Sequence, residues 1–376
     1  MNIRSYCESQ KTAMVKTLEA LVRRESPTQD KNAVDAFTRF YLGKLSGSRH
    51  DVLRIPQSGI GDMYAVGFPG LTPGPALKPV LVLTHADTVW PVGRIKEMPW
   101  RVAGPKAFGP GALDMKAGLV MVLFALKAIQ ALKLEPRRPT VLFVNSAEET
   151  GHPAANRWIR QLAMSASSVL CLEPALPGGA LKVRRKGRLV VELKALGRAA
   201  HAGAPQNGVN AIEELMAQLR ALGALRKGAT SLNISLVSGG TKANVVPEEA
   251  RAVLDFRYWR GADEKRILGG LKSLRPKLSG ARVSHAIESS VPPMERTPGS
   301  RRLFGTAARI ARGLGLGLEA GQTGGGSDAS LASSLGLPTL DGLGPDGDGI
   351  HAVNEHILIP SLIDRTALLA ALLVGL

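Results

Sequence analysis

The chain has 376 residues and sets 48 Lys and Arg against 31 Asp and Glu, a formal charge of +17. Hydrophobic residues make up 44%, enough to build real cores, which excludes a disordered chain; the length suggests about two or three domains. Two cysteines, Cys7 and Cys171, exclude a disulfide framework and any CxxC-type zinc or redox site.

The start, MNIRSYCESQKTAMVK, lacks the apolar run of a secretion signal. A reducing, cytoplasmic setting is expected. Residues 11–45 read as amphipathic helix broken at Ser26–Pro27, and Gly and Pro then accumulate through 56–79. PVLVLTH (79–85), PTVLFVNS (139–146) and SVLCLEP (168–174) are apolar β-type runs that end in polar residues. Between the first two, Met115 to Leu134 reads as a helix with Leu119, Val122, Leu123, Leu126 and Ile129 on one face. This alternation argues for an α/β domain with a mostly parallel sheet.

The pattern changes near 183. Strand patterns at 188–197, 231–237, 249–258 and 281–287 interleave with helices at 209–223 and 263–275. That order suggests a ferredoxin-like α+β module inserted into the first domain. The expected division is 1–183 with 291–376, interrupted by 184–290. From 300 the α/β pattern returns with a helix at 300–313. The apolar run ALLAALLVGL (367–376) is too short to span a bilayer and reads as a packed C-terminal helix.

The positive charge raises the possibility of a basic, metal-stabilised polyanion-binding protein. The densest cluster, KVRRKGR at 182–188, has no interleaved aromatics, and aromatics are 4% of the chain. Stacking on bases is therefore poorly supported, and no nucleic-acid partner is expected.

Chemistry-bearing side chains sit at strand ends and in turns, where a sheet exposes them to a cleft. His85 and Asp87 lie in THADTVWP, Asp114 in GPGALDMKAG, Glu148 and Glu149 in NSAEETG, Glu173 in CLEP, and His351 in DGLGPDGDGIHA. Imidazoles and carboxylates gathered at one end of a sheet suit a pair of divalent ions, with a further acid as general base. His356 is a rival to His351. HExxH, a GxSxG elbow and a P-loop are absent from the sequence.

These segments, taken in order from about 80 to 355, resemble the di-zinc metallopeptidase family of aminoacylases, acetylornithine deacetylase, succinyl-diaminopimelate desuccinylase and glutamate carboxypeptidase, and most of all the last branch. The resemblance implies that His85 and Glu173 hold one zinc, that Glu149 and His351 hold the other, and that Asp114 bridges them; Co2+ or Mn2+ are possible substitutes. It implies that Glu148 is the general base and that Asp87 orients His85. A cis peptide after Asp114 is also implied.

In the inserted domain GRAAHAGAP (197–205), KANVVP (242–247) and LDFRYW (254–259) match family segments. By resemblance His201 reaches the partner subunit's site of a homodimer and helps stabilise an oxyanion. Asn244 and Arg257 contact substrate, and Arg257 clamps a free carboxylate. TGGGSDA (323–329) matches the Gly-rich loop that meets that carboxylate, with Gly326 singled out. On the residues alone, His201 could cap a turn and Arg257 could pair only with Asp255. His152 reads as a surface residue and Cys171 as core packing.

The resemblance implies hydrolysis of an amide beside a free carboxylate, releasing a C-terminal amino acid from a small peptide, or else deacylation of an N-acyl amino acid. A glutamate preference stays open. Lys182, Arg184, Arg185 and Lys186 crowd the region where relatives bind the glutamate side chain, and spacing does not select among them.

Overall fold

Every residue of the strand Val80–His85 is buried, a pattern that only the middle of a sheet covered on both faces can satisfy. It pairs in parallel with Thr140–Asn145 on one side and Ser168–Cys171 on the other. Thr339–Leu340 adds in parallel beyond Ser168–Cys171. On the opposite side Met63–Phe68 pairs antiparallel to Thr140–Asn145, and Asp51–Ile55 closes the edge, giving a six-stranded sheet. This edge hairpin is not legible in the sequence. Asp51–Ile55 is exposed at four of its five positions and shows no alternation to read.

The computed structural model describes residues 1–45, 50–70 and 77–376. Part of the Gly- and Pro-rich stretch, 71–76, lies outside the described residues. The chain forms two units. The first comprises Met1–Val183, Arg296–Gln322 and Ser327–Leu376; the second comprises Arg184–Glu295 and Thr323–Gly326. The second unit thus runs past residue 290 and also takes in a short piece of the Gly-rich loop.

In the first unit the helix after Asp114 spans Ala117–Ala131. It is buried almost all round, from Ala117 through Ala125, and not along one stripe as its spacing suggested. The reason is its neighbours: Ile359–Gly375, Ile3–Ser9 and Lys11–Val22 all pack on it. Ile359–Gly375 places Leu362, Leu368, Leu369 and Leu372 in the same core, so the apolar C-terminal run is an internal helix. No helix among the described residues is long and apolar enough to cross a membrane.

The second unit has a four-stranded antiparallel sheet in the order Ser231–Gly239, Glu249–Tyr258, Gly187–Leu196, Arg282–Val291. With helices Ala211–Gly223 and Gly261–Lys272 this is a ferredoxin-like βαββαβ arrangement. Glu249–Tyr258 buries every second residue, so Ala250, Ala252, Leu254, Phe256 and Tyr258 face the helices. Asn210 starts the first helix by accepting from the backbone N–H of Ile212 and Glu213.

Candidate metal centre

The acids and imidazoles of the first unit gather at the carboxyl ends of its parallel strands, where each chain leaves the sheet. His85 ends the central strand, Glu148 and Glu149 follow Thr140–Asn145 by a tight turn, and Glu173 lies two residues beyond Cys171. His85 Nε2 is 3.1 Å from Asp114 Oδ1 and 3.6 Å from Glu173 Oε1. His351 Nε2 is 3.3 Å from Asp114 Oδ2 and 3.4 Å from Glu149 Oε2. Asp114 therefore presents one oxygen to each imidazole. Its peptide bond to Met115 is cis.

Asp87 is more than a partner of His85. His85 Nδ1 lies 3.0 Å from the Asp87 carbonyl and 3.4 Å from its carboxylate, which turns Nε2 toward Asp114 and Glu173. The Asp87 carboxylate accepts from the backbone N–H of Glu148 (3.2 Å) and Glu149 (3.3 Å), and from the Thr28 hydroxyl (2.8 Å). One buried acid thus orients an imidazole and the Glu-Glu turn together. Thr28 escaped the sequence reading, and the break at Ser26–Pro27 was its one visible signal. A second omission is Glu355, a buried acid beneath the Asp114 segment.

The donor set fits a divalent cation. His85 with Glu148 and Glu173, and His85 with Asp114 and Glu149, form groups whose ligand atoms lie within 4.8 Å of one another. Glu149 Oε1 is buried with no hydrogen-bond partner. Burial opposes charge on His85, yet Asp114 and Asp87 outweigh it and push its pKa well up. Asp114 and Glu149 push His351 up to about 10. Burial would raise Asp114, but the His351 and His85 imidazoles hold it well below the usual carboxylate range. Burial, then Glu173, pushes Glu148 well up, and burial pushes Glu149 up. A site that raises both imidazoles this way calls for positive charge, and mixed N and O donors suit zinc and its neighbours.

His356, the rival ligand, is buried against the Phe108 ring, with centroids 4.8 Å apart, and Nδ1 is 2.8 Å from the Asn354 carbonyl. His351 instead sits in a left-handed turn with φ +60°. His152 caps the helix Pro153–Ser165, its Nδ1 accepting from the Ala154 N–H. Cys171 is buried on its strand.

Within the second unit, His201 and Asn244 lie on adjacent segments. Ala202 N–H donates to the Asn244 carbonyl at 3.0 Å, and His201 bridges Val245. His201 is exposed, and its Nδ1 accepts from Gly203 N–H. Arg257 grips Asp255 through Nε (2.7 Å) and a terminal nitrogen (3.1 Å), and its other terminal nitrogen reaches the Gly324 carbonyl at 3.3 Å. Arg185 is buried and donates to the carbonyls of Gly325 and Gly326. Arg184 and Lys186 are half-buried and lie over the Trp259 ring at 4.6 and 5.4 Å. Lys182, in the first unit, is buried and pairs through its backbone with Asp341.

The model of "Peptidase family M20/M25/M40" matches residues 81–374, a span that contains every acid and imidazole of the centre. Carboxypeptidase G2 of Pseudomonas sp. (strain RS-16) is 31% identical over 372 residues, covering 96% of this chain and 88% of that protein. The chain belongs to peptidase family M20/M25/M40. It is an enzyme that hydrolyses peptide or amide bonds, as the members of this family do. A second relative within it, succinyl-diaminopimelate desuccinylase of Granulibacter bethesdensis, is 28% identical over 386 residues, covering 94% of this chain and 96% of that protein. The fold is shared with a solved Bacillus subtilis protein described as a dinuclear metal-binding peptidase of the M20 family. The TM-score is 0.70 at 15% identity, with 98% of each chain covered.

Proposed function

We propose that the enzyme cleaves an amide bond beside a free carboxylate and releases a C-terminal amino acid from a small peptide, glutamate being the first candidate. The observation that carries the two-ion chemistry is the division of the Asp114 oxygens between His85 and His351, which suits one carboxylate shared by two cation positions, and the carboxypeptidase G2 relative supports the choice of substrate. His85 with Glu173 and His351 with Glu149 would hold the ions, with Asp114 shared. We assign them as zinc, with cobalt or manganese as substitutes. Such a pair, when bound, supplies a water acidic enough to attack at neutral pH and polarises the scissile carbonyl.

Glu148 takes a proton from the attacking water and passes it to the leaving nitrogen as the C–N bond breaks. Burial, and then Glu173, push its pKa up. Asp87 fixes the turn that carries it. Arg257 binds the substrate carboxylate, pre-set in orientation by Asp255, with Asn244 and the Gly326 loop as further contacts. His201 of the partner subunit donates to the developing oxyanion.

The desuccinylase relative supports a second reading, deacylation of an N-acyl amino acid. Amino-acid release from a panel of dipeptides, N-acyl amino acids and folyl- and benzoyl-glutamate separates the two. Replacing Arg257 by Ala is expected to raise KM about 10–100-fold for carboxylate substrates, the worth of a charge-assisted hydrogen bond. Equal loss on the matching carboxamides would remove Arg257 from this role.

Homodimerisation is part of the proposal. The edge strand Ser231–Gly239 exposes Leu236 (67%) and Val237 (61%), and residues 231–241 include no charged side chain to guard the edge. A second copy pairing along this edge would cover it. Light scattering should show a dimer that Leu236→Lys converts to monomer; a parent protein that is monomeric and fully active contradicts both the dimer and the role of His201. Buried thiols at Cys7 and Cys171 suit a reducing compartment, and we place the enzyme in the cytoplasm.

A further inference from the structure

We propose that Glu355 is a positioning residue that sets the geometry of the Asp114 and His351 segments together, a proposal that rests on reading the cluster as a metal centre. Glu355 is 1% exposed. Its Oε2 accepts from Trp90 Nε1 (2.8 Å) and Gly111 N–H (2.8 Å). Its Oε1 accepts from the N–H groups of Leu113 (2.9 Å) and Asp114 (3.1 Å). A carboxylate has about four lone-pair sites, and here each oxygen carries two donors. The group has no capacity left to bind an ion or move a proton, so it acts through the residues it holds.

Those residues are informative. Three of the four donors are backbone N–H groups of the segment that presents Asp114, including that of Asp114 itself. The fourth, Trp90, lies on the loop that follows His85 and Asp87. The backbone of Glu355 completes the link. Its carbonyl accepts from Gly109 N–H at 3.2 Å, and its N–H closes the His351 turn onto Ala352 at 3.0 Å. Gly111 makes the approach possible: its φ is +71°, and a Cβ there would meet Thr88 Cγ2 at 2.7 Å. Glutamine cannot substitute, because its amide would set two donors against donors and leave buried N–H groups without acceptors.

The test uses the purified full-length protein with Co2+ as the only probe. Affinity is read by chelator competition, geometry by the d–d absorption of the bound ion, and folding by the unfolding temperature with and without Co2+. Glu355→Gln and Glu355→Asp are expected to bind Co2+ about 10–100-fold more weakly, the usual cost of losing a ligand's supporting partner, with an altered spectrum. The gain in unfolding temperature on adding Co2+ should shrink accordingly. If Glu355→Gln does not fold, Glu355→Asp and Trp90→Phe carry the same comparison. Variants that bind Co2+ with wild-type affinity and spectrum, however much less stable they are, overturn the inference and leave the metal centre standing. A wild-type protein that binds no Co2+ overturns the centre itself, and the inference with it.

Discussion

Replacing Glu148 by Ala is expected to lower kcat by about 10²–10⁴-fold, the usual contribution of a general base, while metal content stays at the wild-type level. The second half of that result matters as much as the first. Asp114, Glu149 and Glu173 each come within 3.1–3.6 Å of an imidazole nitrogen. Glu148 joins His85 and Glu173 in a looser group, with donor atoms within 4.8 Å of one another. Geometry therefore leaves two roles for this acid, ligand or base. Burial pushes its pKa up, but burial also pushes up that of Glu149, so titration does not separate the two roles. Metal analysis of the purified variant decides between them. Full metal content with kcat lost supports the base; loss of an ion makes Glu148 a ligand, and full activity removes it from the mechanism.

Replacing Asp114 by Asn is expected to do more damage, of a different kind. The substitution keeps the size of the side chain but leaves one acceptor oxygen and puts an NH2 where the other stood. One of the two imidazoles then faces a donor. Metal affinity should fall by more than about 100-fold, beyond the cost of losing a mere supporting partner, and hydrolysis should fall with it. In direct metal analysis after dialysis, the variant should retain less of the metal pair than wild type. Undiminished content would show that Asp114 is not shared between two positions. The comparison with Glu148→Ala is diagnostic, since one variant loses turnover with metal in place and the other loses metal first.

Much of this site is legible in the sequence because strand ends announce themselves. The apolar runs before His85, before Glu148 and Glu149, and before Glu173 are buried parallel strands, and a buried strand must release its chain at a sheet end. The alternation in 249–258 likewise reads directly as a strand with one face on a core. Thr28 and Glu355 were illegible for a common reason. Each supports the centre through a hydrogen bond to a distant segment, Thr28 to Asp87 and Glu355 to Gly111, Leu113 and Asp114, and neither leaves a local periodicity. The helix Pro153–Ser165, too, passed unread, although Pro at its first position after His152 is a start signal.

Local sequence pattern is enough for the two folding patterns, the strand ends that carry His85, Glu148, Glu149 and Glu173, and the family resemblance that those segments hold in order. These depend on hydrophobic period and turn chemistry, which are local. How His351 meets Asp114 is set by long-range contacts. That meeting rests on the antiparallel pairing of two short strands, His356–Leu358 and Lys106–Phe108, which sets Glu355 beside the Gly109–Asp114 segment. Strands of three residues carry no readable period, and a contact across more than 200 residues of chain is fixed by packing and hydrogen bonding rather than by any local preference.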